Sequence, residues 1–149
     1  MPSPPAKRRL PVLQNVSDDP VRPAWQWVAF GALAIVAVWV PLSALVGAIA
    51  ARQFTGPADS SASRLAVWII SAAYLVELAL GAFAGGYLVG KWGPPNVGVR
   101  QAALAGATSA TALAVFTWVS FGATFGLLLL FLIAPPAAAL GGRIGTKNR

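Results

Sequence analysis

The sequence predicts an all-α fold: a polytopic membrane protein built as a four-helix transmembrane bundle with a disordered N-terminal tail. Four apolar runs follow one another along the chain, and each is close to the ~20 residues that a membrane helix needs. Only 10% of the residues are charged and 57% are hydrophobic, whereas a soluble domain carries about 25% charged residues. The Lys and Arg residues lie at the ends of the apolar runs, as expected at membrane surfaces.

Composition also limits the chemistry that this chain can perform. It has no Cys and no His, which removes thiolate nucleophiles, Cys/His zinc sites and the usual general base near neutral pH. Its four acidic residues are too few and too scattered for a carboxylate pair or a metal cage. We therefore expect no enzyme, and no catalytic, cofactor-binding or metal-binding residue.

The net charge of +7 would indicate a nucleic-acid partner in a soluble protein. Here the orientation rule for cytoplasmic Lys and Arg explains it, so no nucleic acid is expected. Residues 1–23 are polar and rich in proline, which predicts a disordered cytoplasmic tail. The KRR cluster at residues 7–9 is interpreted as a topology determinant that also touches anionic headgroups, with a dedicated binding motif as the alternative.

The first two helices are predicted over residues 25–51 and 65–89. Trp25 and Trp27 lie where an interfacial aromatic belt is expected, and Pro41 predicts a kink in the first helix. Gly81 and Gly85 in the second helix have GxxxG spacing, which allows two helix backbones to approach closely in lipid.

The last two helices are predicted over residues 99–120 and 123–140. Gly106 and Ala110 belong to a face of small residues on the third helix, suited to close helix packing. Pro135 and Pro136 predict that the fourth helix kinks or ends there. Residues 142–149 are then expected to form a short, basic and frayed cytoplasmic tail.

The distribution of positive charge predicts the orientation. With four crossings, nine of the eleven Lys and Arg residues fall on the side that holds both termini. That side should be cytoplasmic. We expect a multi-pass protein of the bacterial inner membrane with both termini inside. The bacterial source is inferred from usage rich in Ala, Gly, Pro and Arg.

Glu77 is the one charged residue in the middle of an apolar run, and a carboxylate at that depth costs about 2.5–3.5 kcal/mol on insertion scales. With no cation inside any helix, the neutral protonated acid is expected. If helices two and three formed an antiparallel hairpin, Gly81 would face Gly106. Glu77 would then share an intramembrane polar site with the hydroxyls of helix three, which are those of Thr108, Ser109 and Thr111.

Three interpretations of Glu77 remain open. It could hydrogen-bond two helices together, join a helix of a partner protein, or carry protons or cations across the membrane. The first needs a hydrogen-bond partner within the bundle, and the third needs a polar path.

Residues 85–110, GGYLVGKWGPPNVGVRQAALAGATSA, resemble a stretch of small bacterial four-helix membrane proteins whose function is itself uncharacterised. In those proteins a Gly-Gly-aromatic helix end leads through a basic turn into a helix of small residues. The resemblance covers about a fifth of the chain. It implies a four-helix inner-membrane fold and transfers no catalytic residue.

The sequence thus favours a small non-enzymatic integral membrane protein, a structural or accessory subunit that associates with other membrane helices. Its partners would be the lipid bilayer together with another membrane protein or further copies of itself. The alternative is a small oligomeric transporter or channel, coupled to protons or ions, that uses Glu77.

Overall fold

The computed structural model describes residues 23–53, 61–94, 97–121 and 126–149. These residues form four α-helices and no strand, which confirms the all-α prediction. Each helix contains a stretch long and apolar enough to cross a membrane. The helices are α1 (Ala24–Gln53), α2 (Ser61–Trp92), α3 (Val99–Phe121) and α4 (Gly126–Lys147). The predicted tail lies outside the described residues, Pro23 excepted.

The main difference from the predicted boundaries is in α4. The helix continues past Leu140 to Lys147, so the prediction of a frayed tail from residue 142 is wrong. Pro135 and Pro136 lie inside α4 and do not end it. Pro41 likewise lies inside a continuous α1. A proline removes one backbone donor, but a membrane helix tolerates this when its other hydrogen bonds persist.

The helices pack around a central pair formed by α2 and α4, which have the most extensive contact in the bundle. The two helices run parallel, because Gly86 meets Ala138 and, one turn further on, Gly90 meets Gly142. α3 packs along α4, while α1 packs on α2 and α3. Between α1 and α4 the described residues make no comparable contact.

The α2–α4 crossing brings two backbones into direct contact. A Cβ atom added at Gly86 would overlap the carbonyl group of Ala138, and one added at Gly141 would overlap the carbonyl oxygen of Phe83. Only glycine, which has a hydrogen atom in place of a side chain, fits at these two positions. Small residues spaced four apart on both helices therefore produce a close crossing of the kind that stabilises membrane helix pairs.

α2 and α3 are in contact, but the register predicted for them, in which Gly81 faces Gly106, is not formed. These two helices share the smallest of the helix–helix contacts. Gly81 lies against Ile35 and Trp39 of α1, and Gly106 lies against Ala134 of α4, so the two glycines do not face each other. The small residues of α2 and α3 each find a closer fit elsewhere, on α1 and on the small-residue half of α4.

The core between the helices is made mostly of small side chains. One buried cluster contains Ile35, Leu78, Ala82, Ala110, Leu113, Ala134 and Ala138. A second cluster, formed by Val89, Val97 and Ala102, packs against Trp27. Of the two tryptophans predicted for the aromatic belt, Trp27 is thus partly buried, and Trp25 is exposed.

Arg149 fastens the end of α4 to the turn between α2 and α3. Its guanidinium group donates to the carbonyl oxygens of Gly90 at 2.6 Å, Val97 at 2.7 Å and Pro94 at 3.1 Å. The C-terminal carbonyls of a helix lack intrahelical partners and carry partial negative charge, so a cation is favourable there. This contact explains why the last residues are ordered against the bundle.

We predict that Gly86→Ala destabilises the protein by about 1–3 kcal/mol, because the added methyl group must push α4 away from α2. Gly81→Ala is the matched control in the same helix, since its Cβ would meet nothing nearer than 3.4 Å. The control should be neutral or gain up to about 1 kcal/mol from helix propensity. The measurement is the thermal midpoint in mild detergent. Equal midpoints for the two variants would contradict the crossing described here.

Candidate functional site

Glu77 lies near the middle of α2 and is buried, with 8% of its surface exposed. It sits one turn from Tyr74 and one turn from Gly81, on the side of α2 that faces α1. The Tyr74 hydroxyl lies beside Gly47, and Gly81 lies beside Trp39. Because α1 and α2 are antiparallel, Glu77 is level with the stretch of α1 between Trp39 and Gly47, which contains Pro41.

The carboxyl group of Glu77 is incompletely satisfied. Its Oε2 atom is buried and has no hydrogen-bond partner among the described residues. Basic side chains in the described part of the chain lie near helix ends, away from this depth. A buried oxygen without a partner costs roughly 1–3 kcal/mol, more if charged. The arrangement therefore suits a neutral carboxylic acid, which retains one O–H donor.

The three hydroxyls predicted to surround Glu77 are not gathered around it. Thr108 and Thr111 are exposed, and each donates within α3 at 2.9 Å, to the carbonyl oxygens of Leu104 and Ala107. Ser109 is buried, and its hydroxyl donates to Ala105 O at 2.9 Å. Their hydroxyl hydrogens are thus used locally, as is common for Ser and Thr inside helices.

Ser109 and Glu77 also lie at different depths. Ser109 Oγ is 3.4 Å from the carbonyl oxygen of Ala32, whereas Glu77 is level with the stretch of α1 that begins after Trp39. At 1.5 Å per residue the two levels on α1 are more than ~10 Å apart. The predicted four-residue polar site is therefore not formed, and Glu77 stands without these partners.

A second candidate feature is the outer face of α1, which we define by Ala37, Pro41, Ala44, Ala48 and Ala51. All five residues are exposed. At 100° per residue they fall within about 40° of one direction, opposite the side that carries Ile35 and Trp39 against α2. Nearer the start of α1 the same direction carries the exposed side chains of Phe30 and Leu33. The outward sides of the other helices carry mainly large apolar residues, such as Trp68, Val119 and Leu132.

The predicted helix-packing residues are all buried, although their partners differ from those expected. Gly81 and Gly85 face α1, Gly106 faces α4, and Ala110 belongs to the main core cluster. The sequence reasoning missed the three glycines of α4, Gly141, Gly142 and Gly145, which are buried. The four-residue spacing of Gly141 and Gly145, and of Ala138 and Gly142, was the signal that could have identified them. No comparable signal pointed to Arg149.

No protein-family model, curated protein or solved structure matches the chain. Among the described residues, no group of three or more His, Cys, Asp or Glu side chains could hold a metal ion. Three features of the described chain bear on function: the outer face of α1, Glu77 and the charged helix ends.

We predict that Glu77→Leu leaves the thermal midpoint in mild detergent unchanged or raises it, because an apolar side chain of similar size removes a buried oxygen that has no partner. Glu77→Gln is the isosteric control, and it keeps the polar group in place. If Glu77→Leu instead cost the ~0.6–2 kcal/mol typical of an interhelical hydrogen bond, Glu77 would be holding the helices together.

Proposed function

We propose that this chain is a non-enzymatic multi-pass protein of the bacterial inner membrane, a structural or accessory subunit that binds another membrane helix through the outer face of α1. The four long apolar helices support the placement in a membrane. So does the extent of exposed apolar surface, which includes 76% of Trp68 and 82% of Val119. Lipid accepts such side chains, whereas contact with water would be costly.

The proposed orientation, with both termini in the cytoplasm, rests on the charges at the two ends of the bundle. The end of α2, the start of α3 and the end of α4 lie together, as the contacts of Arg149 and Gly142 require. Five basic residues of the described chain are found at this end, namely Lys91, Arg100, Arg143, Lys147 and Arg149, and two, Arg52 and Arg64, at the other. The richer end is assigned to the cytoplasm.

The observation that carries the accessory role is the outer face of α1. Small residues on a membrane helix let another backbone approach closely, and within this bundle they are used in that way at the α2–α4 crossing. The outer face of α1 has the same kind of composition and is left exposed by the other three helices. A second membrane helix is the partner that fits such a surface.

Pro41 adds a second reason for a partner at this face. It has no N–H group, so the carbonyl oxygen of Ala37 loses its usual donor four residues on. Ala37 is exposed on the outer face of α1. In lipid, a neighbouring helix can supply the missing donor. The prolines of α4 similarly free the carbonyls of Phe131 and Leu132, but these lie among large exposed side chains.

The test is a double substitution, Ala44→Leu with Ala48→Leu, that covers the outer face of α1. We expect the full-length protein, purified in mild detergent, to retain a second membrane protein at fixed stoichiometry in native mass spectrometry. The double variant should retain at least about tenfold less of it, because close backbone contact is lost.

The matched control changes two exposed alanines on other helices, Ala72→Leu and Ala112→Leu, and should keep the partner. Equal retention by both double variants would contradict the assignment of the outer face of α1. A wild-type protein that carries no second membrane protein would contradict the accessory role.

One further candidate is a small oligomeric transporter or channel coupled to protons or ions, favoured by the Glu77 Oε2 atom, which no described residue hydrogen-bonds. Acidic residues inside membranes commonly mark ion paths or proton relays. In this case proteoliposomes should dissipate an imposed pH gradient. Glu77→Gln should abolish this flux, and Glu77→Asp should keep part of it. Flux that persists in Glu77→Gln would exclude proton carriage by this residue.

A further inference from the structure

A groove of about 540 Å³ opens between the first turns of α1 and α3. We call it the α1–α3 groove, and its principal lining residues are Trp25, Val28, Ala29, Arg100, Gln101 and Leu104. Both helices begin at this end and run in the same direction. Gly31 lies beside Ala105, and Ser109, one turn after Ala105 in α3, lies beside Ala32. Its volume falls in the range of small-molecule sites.

The groove is polar at its mouth and mainly apolar further in, where the one polar lining residue, Thr108, donates its hydroxyl hydrogen to Leu104 O at 2.9 Å. Arg100 and Gln101 belong to the first turn of α3, while Val28, Ala29 and Leu104 lie about one turn deeper along the two helices. Gln101 Oε1 accepts a hydrogen bond from the Gly98 N–H at 3.0 Å, as in a capping box. This contact leaves the NH₂ group of Gln101 as a donor, and the exposed Arg100 lines the same groove.

We propose that the α1–α3 groove binds one anionic phospholipid of the cytoplasmic leaflet. Arg100 and the Gln101 amide hold the phosphate of the headgroup, and an acyl chain lies along Val28, Ala29 and Leu104. This inference rests on the membrane placement proposed above.

Charge and depth argue for a lipid. Arginine binds phosphate through parallel N–H···O bonds, and its charge favours an anionic headgroup over a neutral one. Trp25 is 66% exposed at the mouth of the groove, where amphipathic rings meet headgroups. The one acidic residue in the described part of the chain, Glu77, is buried midway along α2 and does not line the groove. A free phosphate ion gains nothing from contact with the apolar inner part of the groove, whereas an acyl chain would fill it.

The experiment compares lipid binding to the full-length protein in mild detergent by native mass spectrometry, with added phosphatidylglycerol or phosphatidylcholine. We expect one phosphatidylglycerol to bind about fivefold more tightly than phosphatidylcholine, the factor expected for one cation at a membrane surface. Arg100→Gln should remove this preference. Arg143→Gln, which removes an equal charge from an exposed site at the same end outside the groove, should keep it.

A second variant tests the apolar part of the groove independently of charge. Ala29→Trp fills the space beside Val28 and should weaken the binding of both lipids, while an unchanged thermal midpoint shows that the bundle is intact. Equal effects of Arg100→Gln and Arg143→Gln would overturn the site in favour of general surface attraction. Displacement by millimolar inorganic phosphate, with Ala29→Trp silent, would overturn it in favour of a free anion.

The last comparison measures lipid binding before and after neutralisation of Asp18 and Asp19, the two acidic residues that precede α1. If phosphatidylglycerol bound only after Asp18→Asn with Asp19→Asn, the tail would occupy the groove and the lipid site would be overturned.

Alkaline carbonate washing of membranes separates this proposal from the membrane placement itself. A chain that stays in the pellet but shows no lipid preference refutes the groove alone, whereas a chain that is released refutes both.

Discussion

The backbone contact between α2 and α4 is the constraint on which the rest of this structure depends. Gly86 and Gly141 leave no room for a side chain at the crossing, so the two helices lie closer than any larger residues would permit. In lipid, where burial of apolar surface gives helices little reason to associate, packing at this distance is the main source of attraction. The other two helices take the positions that this central pair leaves open.

Two outward features follow from that arrangement. α3 covers α4 and α1 lies against α2 and α3, so the far side of α1 meets no other helix of the bundle. Its small residues are therefore exposed. At one end, the parallel α1 and α3 leave a groove with a cation at its mouth. These are the two surfaces for which a membrane helix and a lipid are proposed above as partners.

Glu77 illustrates how a tertiary arrangement changes the meaning of a residue. Taken from the sequence, it could share a polar site with three hydroxyls of α3. In the fold it faces α1, Thr108 and Thr111 point outward, and Ser109 lies at another depth. A carboxyl oxygen that is buried without a partner is a poor link between helices. The burial of this oxygen therefore costs free energy that no contact of the described residues repays.

The sequence by itself determined the all-α class, the four helices of the described chain and, to within four residues, every helix end except that of α4, because long apolar runs punctuated by charge have few other solutions. It also identified Glu77 and the small residues of α2 and α3. Only the tertiary structure decided which helices touch, how far α4 extends and that Arg149 closes the α2–α3 turn. The reason is physical: lipid-facing and core-facing sides of a membrane helix are both apolar, so the hydrophobic period that reveals contacts in a soluble protein is nearly absent. Helix pairing then depends on the detailed fit of glycine to a neighbouring backbone, which only three-dimensional packing reveals.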